Sequence, residues 1–158
     1  MRTTRSNTSP AEWERRLGAI AEAVGTDFAA SVNRIADATA RPDPFRVLVS
    51  TLISLRTRDE VTFAASDRLL SRAPTAADLA ALPEQTIAEL IYPAGFYRTK
   101  AGNLRRIAAT LVDNRGGAVP DTLEELTALP GVGRKTANLV LGLGFGIPAI
   151  CVDVHVHR

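Results

Sequence analysis

Apolar residues recur through most of this chain at intervals of three and four, the spacing that lays them along one face of an α-helix. From Pro10 to about Val24 the stripe is Trp13, Leu17, Ile20 and Val24, and Gly25 ends it. A second helix from about Asp27 carries Phe28, Val32 and Ile35. The run RPDP at 41–44 is a break, because a residue preceding proline is pushed out of the α region. Phe45 to Leu55 (FRVLVSTLISL) is apolar on most sides and predicts a central buried helix. Thr57 is the expected N-cap of the next helix, which runs to about Ser71. Thr75 with Asp78, and Asp121 with Glu124, have capping-box spacing. Pro83 fits the first turn of a short helix to Ile91. Tyr97 to about Asn114 is the best amphipathic segment, with Ala101, Leu104, Ile107, Ala108, Leu111 and Val112 inside and its arginines outside; Arg115-Gly116-Gly117 ends it. Helix, hairpin and helix follow from Asp121 to about Leu143. No β-branched alternation with hairpin turns interrupts this pattern, so the expected fold is all-α.

The segment Leu126 to Leu141 fits a helix-hairpin-helix element. Its hairpin, LPGVG, contains Gly131 and Gly133, expected to permit a turn that bulkier residues would block. Such a turn presents backbone N–H groups at a helix N-terminus, where they can bind a phosphate without reading a base. A bare GxG between helices is often purely structural. Here the surrounding pattern of Leu126, Leu129, Pro130, Val132, Ala137, Val140 and Leu141 makes the element specific.

Composition sharpens the chemistry. Lys100 and Lys135 are the only lysines among nineteen basic residues, so arginine meets nearly every need for positive charge. An amine differs from guanidinium in that it can lose its proton and attack carbon. Lys135 stands at the mouth of the hairpin and is therefore a candidate nucleophile. Net charge of +2 is compatible with nucleic acid without demanding it. Arg98, Lys100, Arg105 and Arg106 cluster on one segment, and Arg56 and Arg58 on another. The single cysteine, Cys151, excludes an internal disulfide and a Cys-rich metal cluster, and its apolar surroundings predict burial. His155 and His157 would point about 160° apart on a helix, which disfavours a shared metal, so no metal site is expected. No segment approaches the roughly 18 apolar residues of a membrane span. The N-terminus lacks a signal-peptide core, which points to the cytoplasm and the nucleoid.

LPGVGRKTANLVL (129–141) followed by CVDVHVHR (151–158) closely resembles endonuclease III, the DNA glycosylase and AP lyase of base excision repair. PFRVLVSTLISLRTRDE (44–60) is similar to that family's buried helix and damage-flanking loop. GFYRTKAGNLRRIA (95–108) is similar to its second DNA-contacting loop and the helix after it. The resemblance covers Pro44 to Arg158 and implies a helix-hairpin-helix glycosylase bundle. Residues 42–150 would form the glycosylase domain, with the helix-hairpin-helix at 121–143. Residues 1–41 would contribute helices to a partial second lobe, and 151–158 would begin its C-terminal part.

The resemblance makes Lys135 the nucleophile and Asp153 the catalytic carboxylate. An amine attacks the anomeric carbon of an oxidised pyrimidine nucleoside, expels the base and forms a Schiff base that permits β-elimination. Arg134 and the positive end of the following helix favour the neutral amine. Asp153 would take up a proton or stabilise positive charge at the sugar; as a bare sequence feature it also reads as a helix N-cap. The resemblance assigns DNA contacts to Leu129, Gly131, Val132, Gly133, Arg134, Arg56, Phe96, Tyr97, Lys100 and His155. Phe96 would be a wedge that fills the gap left by an extruded base. Arg56 stands where many relatives carry a glutamine facing the orphaned base. Arginine donates but cannot accept, so opposite-base preference is left open.

The implied partner is damaged double-stranded DNA, with neither a membrane nor a small-molecule substrate. Full-length relatives continue past the VDVHVHR element into a lobe that usually holds a four-iron four-sulfur cluster on four cysteines. Those ligands are missing here, implying a C-terminally truncated member without the cofactor. Apolar faces around Trp13 and Leu17, deprived of cover, would drive self-association. Two alternatives remain at this level. A monofunctional mismatch glycosylase shares the fold but typically lacks the lysine. A non-catalytic helix-hairpin-helix remnant would bind DNA without cleaving it.

Overall fold

The computed structural model describes residues 9–24 and 43–152. They form eight α-helices and one π-helical turn, with no strand among the described residues. The helices are α1 (Pro10–Val24), α2 (Pro44–Ser54), α3 (Asp59–Arg72), α4 (Ala76–Ala81), α5 (Glu84–Ile91), α6 (Tyr97–Arg115), α7 (Leu123–Ala128) and α8 (Arg134–Leu139). The π-helical turn, Val140–Gly144, continues α8. The all-α expectation therefore holds. The helix expected from Asp27 lies outside the described residues.

Helix α2 is the centre of the core. Asp43 caps it by accepting from the Phe45 N–H at 2.9 Å, and Pro44 occupies its first turn, where no N–H is needed. Every residue from Val47 to Ile53 is buried. That apolar coat packs against α3, α6, α8 and the π-helical turn. Each such aliphatic side chain contributes about 1.5–3 kcal/mol on burial. Helix α6 lays Ala101, Leu104, Ile107, Ala108 and Leu111 against this core, as its periodicity predicts, and Gly116 in the left-handed conformation ends it.

Three local expectations need correction. Thr57 does not cap α3, which starts after Arg58 with no side-chain cap; its hydroxyl is used elsewhere, as described below. The capping pair of α7 is Thr122 with Glu125, one residue beyond the expected Asp121 and Glu124. Cys151 is exposed, because the chain around it lies on the surface of α8 instead of inside the core. The Thr75–Asp78 capping box is present as expected. Pro83 is the N-cap of α5, immediately before its first turn.

Candidate nucleic-acid interface and active site

The hairpin between α7 and α8 is a tight turn of defined type. Pro130 and Gly131 are its central residues, and the Val132 N–H donates to Leu129 O at 3.1 Å. Gly131 has φ +78°, the value required of the third residue of a type II turn. A Cβ there would also lie 2.9 Å from Asn103 Nδ2 of α6, so the hairpin is seated on α6 and a larger residue would have to displace the Asn103 side chain. Gly133 is different: its φ of −94° suits any residue and nothing lies within 4 Å of a notional Cβ. The expectation that both glycines are sterically required holds for Gly131 alone.

Leu129 and Val132 turn their side chains inward, each 6% exposed. Any contact they make with a ligand must run through backbone. Gly131, Gly133, Arg134 and Lys135 are exposed around them. Among the described residues no side chain caps the N-terminus of α8, and the positive end of that helix lies beside the exposed Arg134. This is the arrangement of an anion site built from backbone.

Lys135 lies in the first turn of α8. The chain returns to it after the π-helical turn: Asn138 Nδ2 donates to Ile150 O at 2.9 Å, and Cys151 Sγ lies 3.6 Å from Lys135 O. The stretch immediately preceding Asp153 is thereby tied alongside the lysine. Asp153 and His155 themselves lie outside the described residues. The single cysteine does not fit a site for a cluster that needs four thiolates.

A second group forms where two loops meet. The turn after α2 and the turn before α6 present Arg56 and Phe96, both exposed and both in the left-handed conformation, with φ +53° and +55°. Non-glycine residues rarely adopt this region, and such outliers concentrate at functional sites. The Arg56 guanidinium lies 5.6 Å from the centre of the Phe96 ring. The two backbones approach so closely that a Cβ on Gly95 would sit 2.3 Å from Arg56 O. Tyr97 is half-buried, edge-on to Tyr92, with Arg98 over its ring at 5.5 Å.

Lys100 departs from its expected place. It is 9% exposed, and its Nζ donates to Ile53 O and Leu55 O, both at 2.6 Å, and to Thr57 Oγ1 at 2.9 Å. With these acceptors taken inside the protein, it is not available as a surface contact to DNA. Its position on the apolar side of α6, one residue before Ala101, was the available signal. Sequence reasoning also missed Asn103, whose side chain lies against Gly131 and which reads as an ordinary polar helix residue.

Residues 49–158 match the HhH-GPD superfamily of base excision DNA repair proteins. Endonuclease III from Thermotoga maritima is 53% identical over 116 residues, which cover 73% of this chain and 54% of that protein. Two solved structures share the fold across 95% of this chain. A non-covalent endonuclease III–DNA complex has a TM-score of 0.78 at 34% identity, with 66% of that chain covered. A trapped endonuclease III–DNA covalent intermediate, an estranged-adenine complex, has a TM-score of 0.77 at 33% identity, with 67% covered. The chain thus spans about half the length of the Thermotoga relative. By motif, fold and similarity it belongs to the endonuclease III family of the HhH-GPD superfamily.

Proposed function

We propose that this chain carries the DNA-binding and catalytic lysine elements of a bifunctional glycosylase and AP lyase acting on oxidised pyrimidines in duplex DNA. The observation that carries the reading is the placement of Lys135: exposed, in the first turn of the helix that follows the hairpin, with residues 150 and 151 bound back against its turn. A phosphate at the hairpin amides would put the adjacent sugar within reach of the lysine. The covalent state named for one structural neighbour is what a nucleophilic amine would form.

In the proposed reaction the Lys135 amine bonds to C1′ as the bond from C1′ to the base breaks. The base leaves with the bonding electrons and takes up a proton. The C1′–O4′ bond then breaks as O4′ takes a proton from the alkylated amine, giving a protonated Schiff base. Loss of a C2′ proton expels the 3′ phosphate, and water hydrolyses the Schiff base to free Lys135 and leave the unsaturated aldehyde. Asp153 is the proposed carboxylate that moves the proton or steadies charge at the sugar. Arg56 and Phe96 are the proposed occupants of the space left by the extruded nucleotide, because an exposed ring and guanidinium can replace lost stacking.

The test is strand cleavage of a duplex containing a thymine glycol. The parent chain should leave a 3′ unsaturated aldehyde end. Base release without cleavage would identify a monofunctional enzyme, and binding without either would identify a non-catalytic module.

A further inference from the structure

The ammonium of Lys100 is buried with no carboxylate partner among the described residues, and the three acceptors described for it come from two places. Ile53 O and Leu55 O are carbonyls at the C-terminal end of α2, which an α-helix leaves without internal partners. A cation there also meets the negative end of the helix dipole. Thr57 Oγ1, the third acceptor, also accepts from the Gly95 N–H at 3.0 Å and itself donates to Leu55 O at 3.3 Å. One hydroxyl therefore joins the turn after α2, the turn before α6 and the lysine. On the other flank, Arg68 of α3 donates to Leu90 O at 2.9 Å and to Tyr92 O at 2.6 Å, fixing the end of α5 from which the second turn departs.

Arg56 and Phe96 sit at the crests of these turns, each in a conformation that a free loop would leave. We propose that Lys100, acting through Thr57, is a positioning residue that locks the two turns together and holds Arg56 and Phe96 as one preassembled ridge for insertion into DNA. The ridge replaces two independent loops that would each have to be ordered on binding. Its use on DNA rests on the function proposed above; the preassembly does not.

Two readouts test this. In the free protein, nuclear Overhauser contacts between the Arg56 side chain and the Phe96 ring should be present in the parent. They should be lost in Lys100→Met and weakened in Thr57→Val. On DNA, Lys100→Met should weaken binding to a duplex carrying a stable abasic analogue by about tenfold or more, a change of about 1.4 kcal/mol. Binding to undamaged duplex should change by less than about twofold, since the hairpin is untouched. In a Phe96→Ala background, Lys100→Met should have no further effect on the lesion preference. A merely structural lysine would lower both affinities together and act additively with Phe96→Ala. Should Lys100→Met not fold, Thr57→Val carries the decision. Absence of the contact in the parent, or its persistence in the folded variants, overturns the proposal. A parent chain that shows the contact but no lesion preference contradicts the proposed function and leaves the positioning role standing.

Discussion

The two lysines of this chain have opposite surroundings. Lys135 is exposed at a helix N-terminus, whereas Lys100 is buried against a helix C-terminus. Burial pulls the Lys100 ammonium down from the ordinary 10.5 to about 8. The unfolded chain holds that proton to about pH 10.5, while the folded chain releases it near 8, so unfolding takes up a proton across this window. Stability from this group therefore rises with pH between those values and is lost as pH falls through 8. Urea denaturation should show the parent gaining about 1–2 kcal/mol relative to Lys100→Met between about pH 7.5 and about pH 9.5. A pH-independent difference would mean that desolvation of the ammonium is not felt. The two hairpin glycines should also separate. Gly131→Ala meets both a left-handed φ and Asn103, and should cost about 1–3 kcal/mol and reduce affinity for duplex DNA. Gly133→Ala should leave the fold within about 1 kcal/mol of the parent. Thermal melts of the two variants check this directly.

At the scale of elements, α7 is short and depends on its cap. The Thr122 hydroxyl accepts from the Glu125 N–H at 3.4 Å and donates to the Glu125 carboxylate at 2.8 Å. The same hydroxyl, with the Arg115 guanidinium from α6, holds the Glu125 carboxyl below its usual range. Thr122→Ala should cost about 1 kcal/mol in equilibrium unfolding and loosen the first helix of the hairpin element. A change below about 0.3 kcal/mol would show that α7 is held by packing through Leu126 alone. Elements with a strong repeating pattern were legible in the sequence: the all-apolar α2, the stripe of α6 and the Thr75–Asp78 cap. Misread features were those decided by a partner from elsewhere in the chain. Thr57 looks like a cap until Gly95 and Lys100 claim its hydroxyl, and Lys100 looks like part of a basic face until the end of α2 needs a donor. Cys151 looks like a core residue until Asn138 draws the neighbouring carbonyl to the surface of α8. Gly131 was legible because its φ is local, whereas its contact with Asn103 depends on the packing of α6.

Across the whole molecule, the hairpin and lysine of α8 are brought to the core by the packing of α2 against α8 and the π-helical turn. The paired turns of Arg56 and Phe96 depend on the same helix: the first grows from its C-terminal end, and the second is tied to that end through Thr57 and Lys100. Helix α1 behaves differently, exposing Trp13, Leu17 and Ile20 by about half or more. That stripe predicts concentration-dependent association in sedimentation velocity, reduced when the three are replaced by serine; a parent chain that stays monomeric across a wide concentration range would contradict it. In the function proposed above, Lys135 makes a covalent bond to the sugar of a damaged nucleotide. Borohydride trapping on a thymine glycol duplex tests it, with Lys135→Ala beside the parent and circular dichroism confirming that both fold alike. The parent should form an adduct that maps to Lys135 by peptide mass spectrometry and is absent from the variant. An adduct that survives in Lys135→Ala, or a folded parent that traps nothing, would contradict it.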